Sequence, residues 1–194
     1  MTRKFGRNVV GLLCFAAWAL STGPAFAAEI SGVKLPDQVT LDGKTLKLNG
    51  TGIRAAKILF TFNVYAAGLY LENPGRDGDA IANSDQIKSI EMVFMRDVTA
   101  KQMADAFQEG FDKNCVADCT RLKPDITRLQ ALMKDMKKGE TMAYHFLSDG
   151  VEVVIRGQKV GKVGDKPFSH QLVRVWLGKN PPNPELKEGL LGKK

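Results

Sequence analysis

The chain has 194 residues, of which 44% are hydrophobic and 25% charged, with 19 Gly, 8 Pro, 3 Cys and a formal net charge of +7. These proportions fit a globular protein and exclude a low-complexity, collagenous or disulfide-scaffold chain. The Lys and Arg are dispersed rather than clustered, which argues against a nucleic-acid partner and leaves anionic ligands or membrane surfaces as the targets of a mild basic excess.

The first residues have the form of a secretory leader. Arg3, Lys4 and Arg7 form a basic start, Val9 to Leu20 is an apolar run, and Ala25-Phe26-Ala27 is a small-x-small cleavage site. The apolar run is too short to span a bilayer. Cys14 lies within it and has no lipobox-like sequence before it. The expectation is a signal peptide over residues 1–27 and a periplasmic domain over residues 28–194 with no transmembrane segment. Loss of the leader lowers the formal charge from +7 to +4.

The next informative stretch is Lys47 to Glu72, KLNGTGIRAAKILFTFNVYAAGLYLE. Gly50 and Gly52 suggest a tight turn that delivers Arg54 to a strand running from Leu59 to Leu71. Strict alternation along that strand puts Thr61, Asn63 and Tyr65 on one face and Phe60, Phe62 and Val64 on the other. The first face is then a candidate cleft lining, in which the guanidinium of Arg54 and the phenol of Tyr65 flank a site for an oxyanion. The alternative is an Arg in a surface turn and a Tyr at a sheet edge. Gly50-x-Gly52-x-x-Ala55 also fits a dinucleotide fingerprint superficially, but the aromatic and β-branched residues after it have strand spacing where that motif needs a helix.

Glu72 to Ser84 is expected to be a loop with one helical turn near Ala80, and Ile87 to Arg96 a strand. Thr99 can cap a helix on which Met103, Phe107 and Phe111 recur every four residues. Cys115 and Cys119 follow at the end of this helix. Helical spacing puts their Cα atoms about 6 Å apart, within bridging range, and the periplasm would oxidise such a pair, so a Cys115–Cys119 disulfide is expected, with two free thiols as the alternative. No His lies near enough in sequence to make them a metal site.

A second helix is expected after Pro124, marked by Ile126, Leu129, Leu132, Met133 and Met136 and ended by Gly139. Strands follow over Thr141 to Leu147, Val151 to Arg156 and Lys159 to Val163, separated by Ser148-Asp149-Gly150 and Gly157-Gln158. Phe168 to Leu177, stopped by Gly178, and Pro184 to Leu191 complete the chain as helices. This order describes an α+β domain, an antiparallel sheet with helices on one face. His145 and His170 have no partner in sequence for nucleophilic or metal chemistry, and nothing points to a cofactor.

The order LNGTGIR, KILFTFNVYAAGLYLE, a helix pair, SDGVEVVIRGQKVGKV and LVRVWLGKNPPNPELKEGLLG resembles the chalcone isomerase-like family, and in particular its bacterial secreted branch. The resemblance runs from about Ile30 to Gly192. Its specific ends are Gly52-x-Arg54 leading to Tyr65-x-x-Gly68-x-Tyr70, and Trp176-Leu177-Gly178 followed by Pro182 and Leu186-Lys187. It implies an open-faced β-sandwich, with a large antiparallel sheet and a helical layer enclosing a ligand cleft.

The family includes plant isomerases, non-catalytic relatives and fatty-acid-binding members, so its residues must separate these activities. The plant enzymes pair the Arg with a strand Thr, a helix Tyr, a helix Asn and a late Ser or Thr. Those positions fall here on Tyr65, Met103, Gly110 and Val175. Only Arg54 remains. The fatty-acid-binding members pair the Arg with a Tyr in a VYxxGxY context, which Arg54 and Tyr65 match. The resemblance therefore implies a non-catalytic protein that binds a fatty acid or similar amphipathic carboxylate through Arg54 and Tyr65, with Thr61 and Asn63 beside them. The alternatives are an intramolecular lyase relying on Arg54, and an envelope interaction protein.

Overall fold

The computed structural model describes residues 1, 26–57, 59–116 and 118–193. Residues 2–25, which hold most of the expected leader, lie outside the described residues, as does Ile58.

Seven antiparallel strands form one curled sheet in the order β3 (Gln38–Leu41), β4 (Lys44–Lys57), β5 (Thr61–Leu71), β6 (Lys88–Phe94), β7 (Thr141–Leu147), β8 (Gly150–Ile155) and β9 (Gln158–Val163). A separate hairpin of β1 (Phe26–Ile30) and β2 (Val33–Pro36) precedes them. Cleavage after Ala27 would fall inside β1. Helices α1 (Gly78–Asn83), α2 (Ala100–Asn114), α3 (Cys119–Ala131), α4 (Lys166–Leu177) and α5 (Pro184–Leu190) supply the second layer. This is the α+β arrangement that the residue patterns imply, in the open-faced form that the resemblance implies. Among the described residues, no helix is long and apolar enough to cross a membrane.

The main core lies between sheet and helices. Ala67, Leu69, Leu71, Ile90, Met92, Tyr144 and Val153 meet Met103, Phe107, Phe111, Leu172 and Trp176 there. A smaller cluster of Leu46, Tyr70 and Ile87 sits on the opposite face, with Leu48 packed against it. The Tyr70 hydroxyl donates to the Pro36 carbonyl at 3.0 Å, tying that face to the β1–β2 hairpin.

Local chemistry accounts for the helix starts. Thr99 and Gln102 form a reciprocal capping box on α2, and the Asp165 carboxylate accepts from the Phe168 amide at 3.0 Å to cap α4. The helix expected after Pro124 begins earlier, at Cys119, and contains Pro124. Pro124 is exposed, so the Thr120 carbonyl that loses its donor is left on the solvent side, where water can satisfy it. The same helix ends at Ala131 rather than near Gly139. Met136 instead pairs with Val98, its amide donating to the Val98 carbonyl at 2.8 Å.

Cys115 and Cys119 are joined by a disulfide with Cα atoms 6.0 Å apart. They do not share a helix: Cys115 follows the last turn of α2 and Cys119 is the first residue of α3, so the bridge ties the end of one helix to the start of the next. A loop this short removes little unfolded-state entropy, worth about 2 kcal/mol in the chain-entropy picture.

Gly50 and Gly52 are not in a turn. Both lie within the 14-residue strand β4, which runs through them to Arg54. Their role is close approach: a Cβ on Gly52 would sit 2.7 Å from the Leu186 carbonyl oxygen, and one on Gly50 would sit 2.8 Å from that of Leu190. The missing side chains let α5 lie directly on the backbone of β4. Asn49 secures the contact, its amide donating to the Leu190 carbonyl at 2.8 Å.

Candidate functional site

Arg54 and Tyr65 sit on adjacent strands and are direct partners across the β4–β5 pair. Directly opposed residues present their side chains on the same face of the sheet. One rung further, the register steps from Arg54↔Tyr65 to Ala55↔Asn63, so Val64 is an extra residue in β5. Such a bulge reverses the alternation of the strand at that point.

The reversal decides what lines the cleft. Phe62, Val64 and Tyr65 all face it, whereas Thr61 and Asn63 are exposed and lie outside its lining. The face expected from strict alternation is thus corrected for Thr61 and Asn63 and kept for Tyr65. The expected strand start at Leu59 is also corrected, since β5 begins at Thr61 and Leu59 and Phe60 belong to the hairpin tip.

The cleft encloses about 410 Å³ between the β4–β6 end of the sheet and helices α2 and α4. That is within the range of small-ligand sites. Its inner wall is apolar, with Met92, Phe94, Met103, Phe107, Met142 and Val175, and Arg54, Arg96 and Lys113 are among its charged lining residues. Phe107, Tyr144 and Trp176 form a mutually packed aromatic group at its inner end, with ring centroids 5.3 to 5.6 Å apart.

Trp176 fixes the hydrogen-bonding state of Tyr65. Its indole N–H donates to the Tyr65 hydroxyl oxygen at 3.1 Å, which leaves the phenolic proton free to be donated elsewhere. Burial raises the Tyr65 pKa above its ordinary value, against the opposing effects of Trp176 and Arg54, so the group is a neutral donor throughout the neutral range. Tyr65 also meets Phe94 edge-to-face at 5.9 Å.

Arg54 is held from the opposite side. Its Nη1 donates to the Asn183 side-chain oxygen at 3.0 Å and to the neighbouring Ala55 carbonyl, and the same Asn183 oxygen accepts from the Ala55 amide at 2.9 Å. Asn183 is placed by the Asn180-Pro181-Pro182-Asn183 connection, which is anchored to the end of α2. The buried Asn114 accepts from the Asn180 amide and donates to the Asn180 carbonyl, both at 2.8 Å.

No carboxylate among the described residues lies within ion-pairing distance of Arg54 or Arg96. The nearby acids are engaged elsewhere, Glu109 with Lys113 at 2.5 Å and Asp97 with Lys137 at 2.9 Å. Arg96 instead rests over the Phe62 ring, 4.1 Å from its centroid. The cleft therefore offers a fixed guanidinium, a phenolic donor and a second guanidinium along an apolar chamber. That chemistry suits an amphipathic anion. Among the described residues, no group of His, Cys, Asp and Glu is arranged to hold a metal ion.

Trp176, Asn183 and Arg96 were not singled out as site residues from the sequence. Trp176 stood there only as part of a C-terminal motif, and nothing local to Asn183 or Arg96 signals a role. His145 lies on the outer face of the sheet, within 3.5 Å of both Glu91 and Glu152, and His170 pairs with Asp85 at 3.1 Å; neither lines the cleft. Tyr65, Met103, Gly110 and Val175, onto which the polar groups of the plant isomerases fall, all line it.

The model of the family described as chalcone isomerase-like matches residues 27–192. No curated protein matches the chain. Among solved structures, it is similar to the Arabidopsis thaliana fatty-acid binding protein, with a TM-score of 0.69 at 18% identity, covering 84% of this chain and 93% of that one. At that identity, the likeness is one of fold.

Proposed function

The chain belongs to the chalcone isomerase-like family, and from that premise we propose that it is a periplasmic protein that binds a fatty acid or similar amphipathic carboxylate without transforming it. One observation carries the reading: a guanidinium pinned by Asn183, with no acidic partner among the described residues, faces a neutral phenol at the wall of an apolar cleft. A partly buried charge of this kind is costly unless an anion completes it. The carboxylate accepts two N–H donors from Arg54 and the O–H of Tyr65, while the acyl chain lies against Phe94, Met103, Phe107 and Val175. The Arabidopsis thaliana protein of similar fold is a fatty-acid binding protein, which supports this choice of ligand class. The basic start, apolar run and Ala25-Phe26-Ala27 site support the periplasmic location.

The test is to purify the processed protein from periplasmic extract, extract it with solvent and identify what is released by mass spectrometry. A stoichiometric long-chain carboxylate is expected. Release of no lipid, together with failure of the delipidated protein to take one up, would refute the reading. The amino terminus of the same material is expected to be Ala28; an intact leader would refute the location. Tyr65→Phe is expected to weaken binding by about 0.5–1.5 kcal/mol, the net worth of a hydrogen bond from an uncharged donor, with the fold retained.

The absence of polar groups at Met103, Gly110 and Val175 gives a further expectation. Proton-transfer assistance is worth about 10²–10⁴-fold in rate, and nothing at these three positions supplies it. Chalcone cyclisation should stay near background when followed by absorbance. Turnover far above background that vanishes in Arg54→Ala would establish an enzyme instead.

A further inference from the structure

The tip of the β4–β5 hairpin is built unlike a solvent-facing turn. Residues 58–60, between the two strands, read Ile-Leu-Phe, where a hairpin connection ordinarily has Gly, Asn or Asp. Leu59 is 84% exposed and Phe60 79%. Large apolar side chains held out in water at the end of a projecting hairpin mark a contact surface.

The surroundings indicate what that surface meets. Lys57↔Thr61 is the last rung of the hairpin and Ala56↔Phe62 the one before it, and both Ala56 and Phe62 line the cleft. The apolar tip thus continues the cleft wall outward by a single rung. Two exposed cations border these rungs without an ion-pair partner among the described residues: Lys57 at the last rung and Arg96 stacked on Phe62. An apolar wedge bordered by unpaired cations is complementary to a bilayer with anionic headgroups, where the side chains enter the acyl boundary and the cations stay at headgroup level.

We propose that the Leu59–Phe60 tip docks this protein onto an anionic lipid bilayer and sets the cleft mouth against it, so that an amphipathic carboxylate passes between membrane and cleft without crossing water. The docking stands on the apolar tip and the cations that border it. Only the passage of ligand rests on the carboxylate-binding reading above.

The experiment is co-sedimentation of delipidated protein with vesicles of phosphatidylcholine alone and of phosphatidylcholine with phosphatidylglycerol. Wild type is expected to sediment with the anionic vesicles and to be released as salt is raised. Leu59→Ser combined with Phe60→Ser should lower partitioning about tenfold or more, since both inserted side chains are lost. Lys57→Gln should lower it about fivefold on anionic vesicles only. Neither variant touches the cleft lining, so fatty-acid affinity measured in solution is expected to stay at the wild-type value. That separates failure of docking from failure of the ligand reading. Absence of vesicle binding by wild type, or unchanged binding by the double variant, would overturn the proposal. So would a wild-type dimer in sedimentation velocity that the double variant converts to monomer, which would make the tip an interface between copies.

Discussion

Trp176→Ala is expected to lower the stability of the protein by about 3–5 kcal/mol, the cost of removing a large aromatic from a packed core. Trp176 is 1% exposed and touches both Phe107 and Tyr144 edge-on or tilted, so its removal leaves a void that three elements, α2, α4 and β7, must share. It also strips the Tyr65 hydroxyl of its indole donor. Folded domains hold only about 5–15 kcal/mol in total. A loss this size should lower the melting temperature by about 6–20 °C, given about 2–4 °C per kcal/mol for a chain of this length. Calorimetry checks it, with Trp176→Phe as the control that keeps an aromatic ring and most of the volume while losing the N–H. A melting temperature within a degree or two of wild type in Trp176→Ala would show that the aromatic group does not hold the inner end of the cleft.

The second large effect is expected at Gly52→Ala. The added methyl would sit 2.7 Å from the Leu186 carbonyl oxygen and 3.0 Å from its Cα, and backbone atoms cannot rotate away as a side chain would. Helix α5 must therefore lift off β4. Overpacking of this kind costs about 1–3 kcal/mol, and the upper end is expected here because Leu186 is fully buried. The consequence extends to the cleft, because Asn183 immediately precedes α5 and fixes Arg54. The variant should lose stability and ligand affinity together, seen in denaturant titration and in a lipid-binding assay. Unchanged stability would mean that α5 is not seated on this strand.

The same residues show why the fold was easier to see in the sequence than the site. Thr99 as a cap, the four-residue spacing of Met103, Phe107 and Phe111, and the Gly-marked hairpins at 148–150 and 157–158 are local signals, and each lands on the element it implies. Pro124 misleads because the rule against proline in helices weakens where the freed carbonyl meets water. The glycines at 50 and 52 mislead because a glycine serves close approach as readily as a turn, and the sequence does not reveal that α5 will lie there. Val64 matters most. A bulge leaves no mark in the residue pattern, yet it moves Thr61 and Asn63 out of the cleft and brings Phe62 and Val64 in.

Arg54 and Tyr65 were visible because a guanidinium and a phenol stand out in an apolar strand region. Their partners were not, because the contacts that orient them span 129 residues to Asn183 and 111 to Trp176. Only the folded chain makes them neighbours.

The central claim is that Arg54 receives the head group of an amphipathic carboxylate, and a calorimetric titration of delipidated protein with a long-chain fatty acid tests it most directly. Wild type is expected to bind one equivalent. Arg54→Ala is expected to bind about 1.5–3 kcal/mol more weakly, the scale of a hydrogen bond to a charged group, which is roughly a 10- to 150-fold rise in Kd. Its melting curve should remain that of a folded protein. Equal affinity in wild type and Arg54→Ala, or no binding by either, would contradict the account.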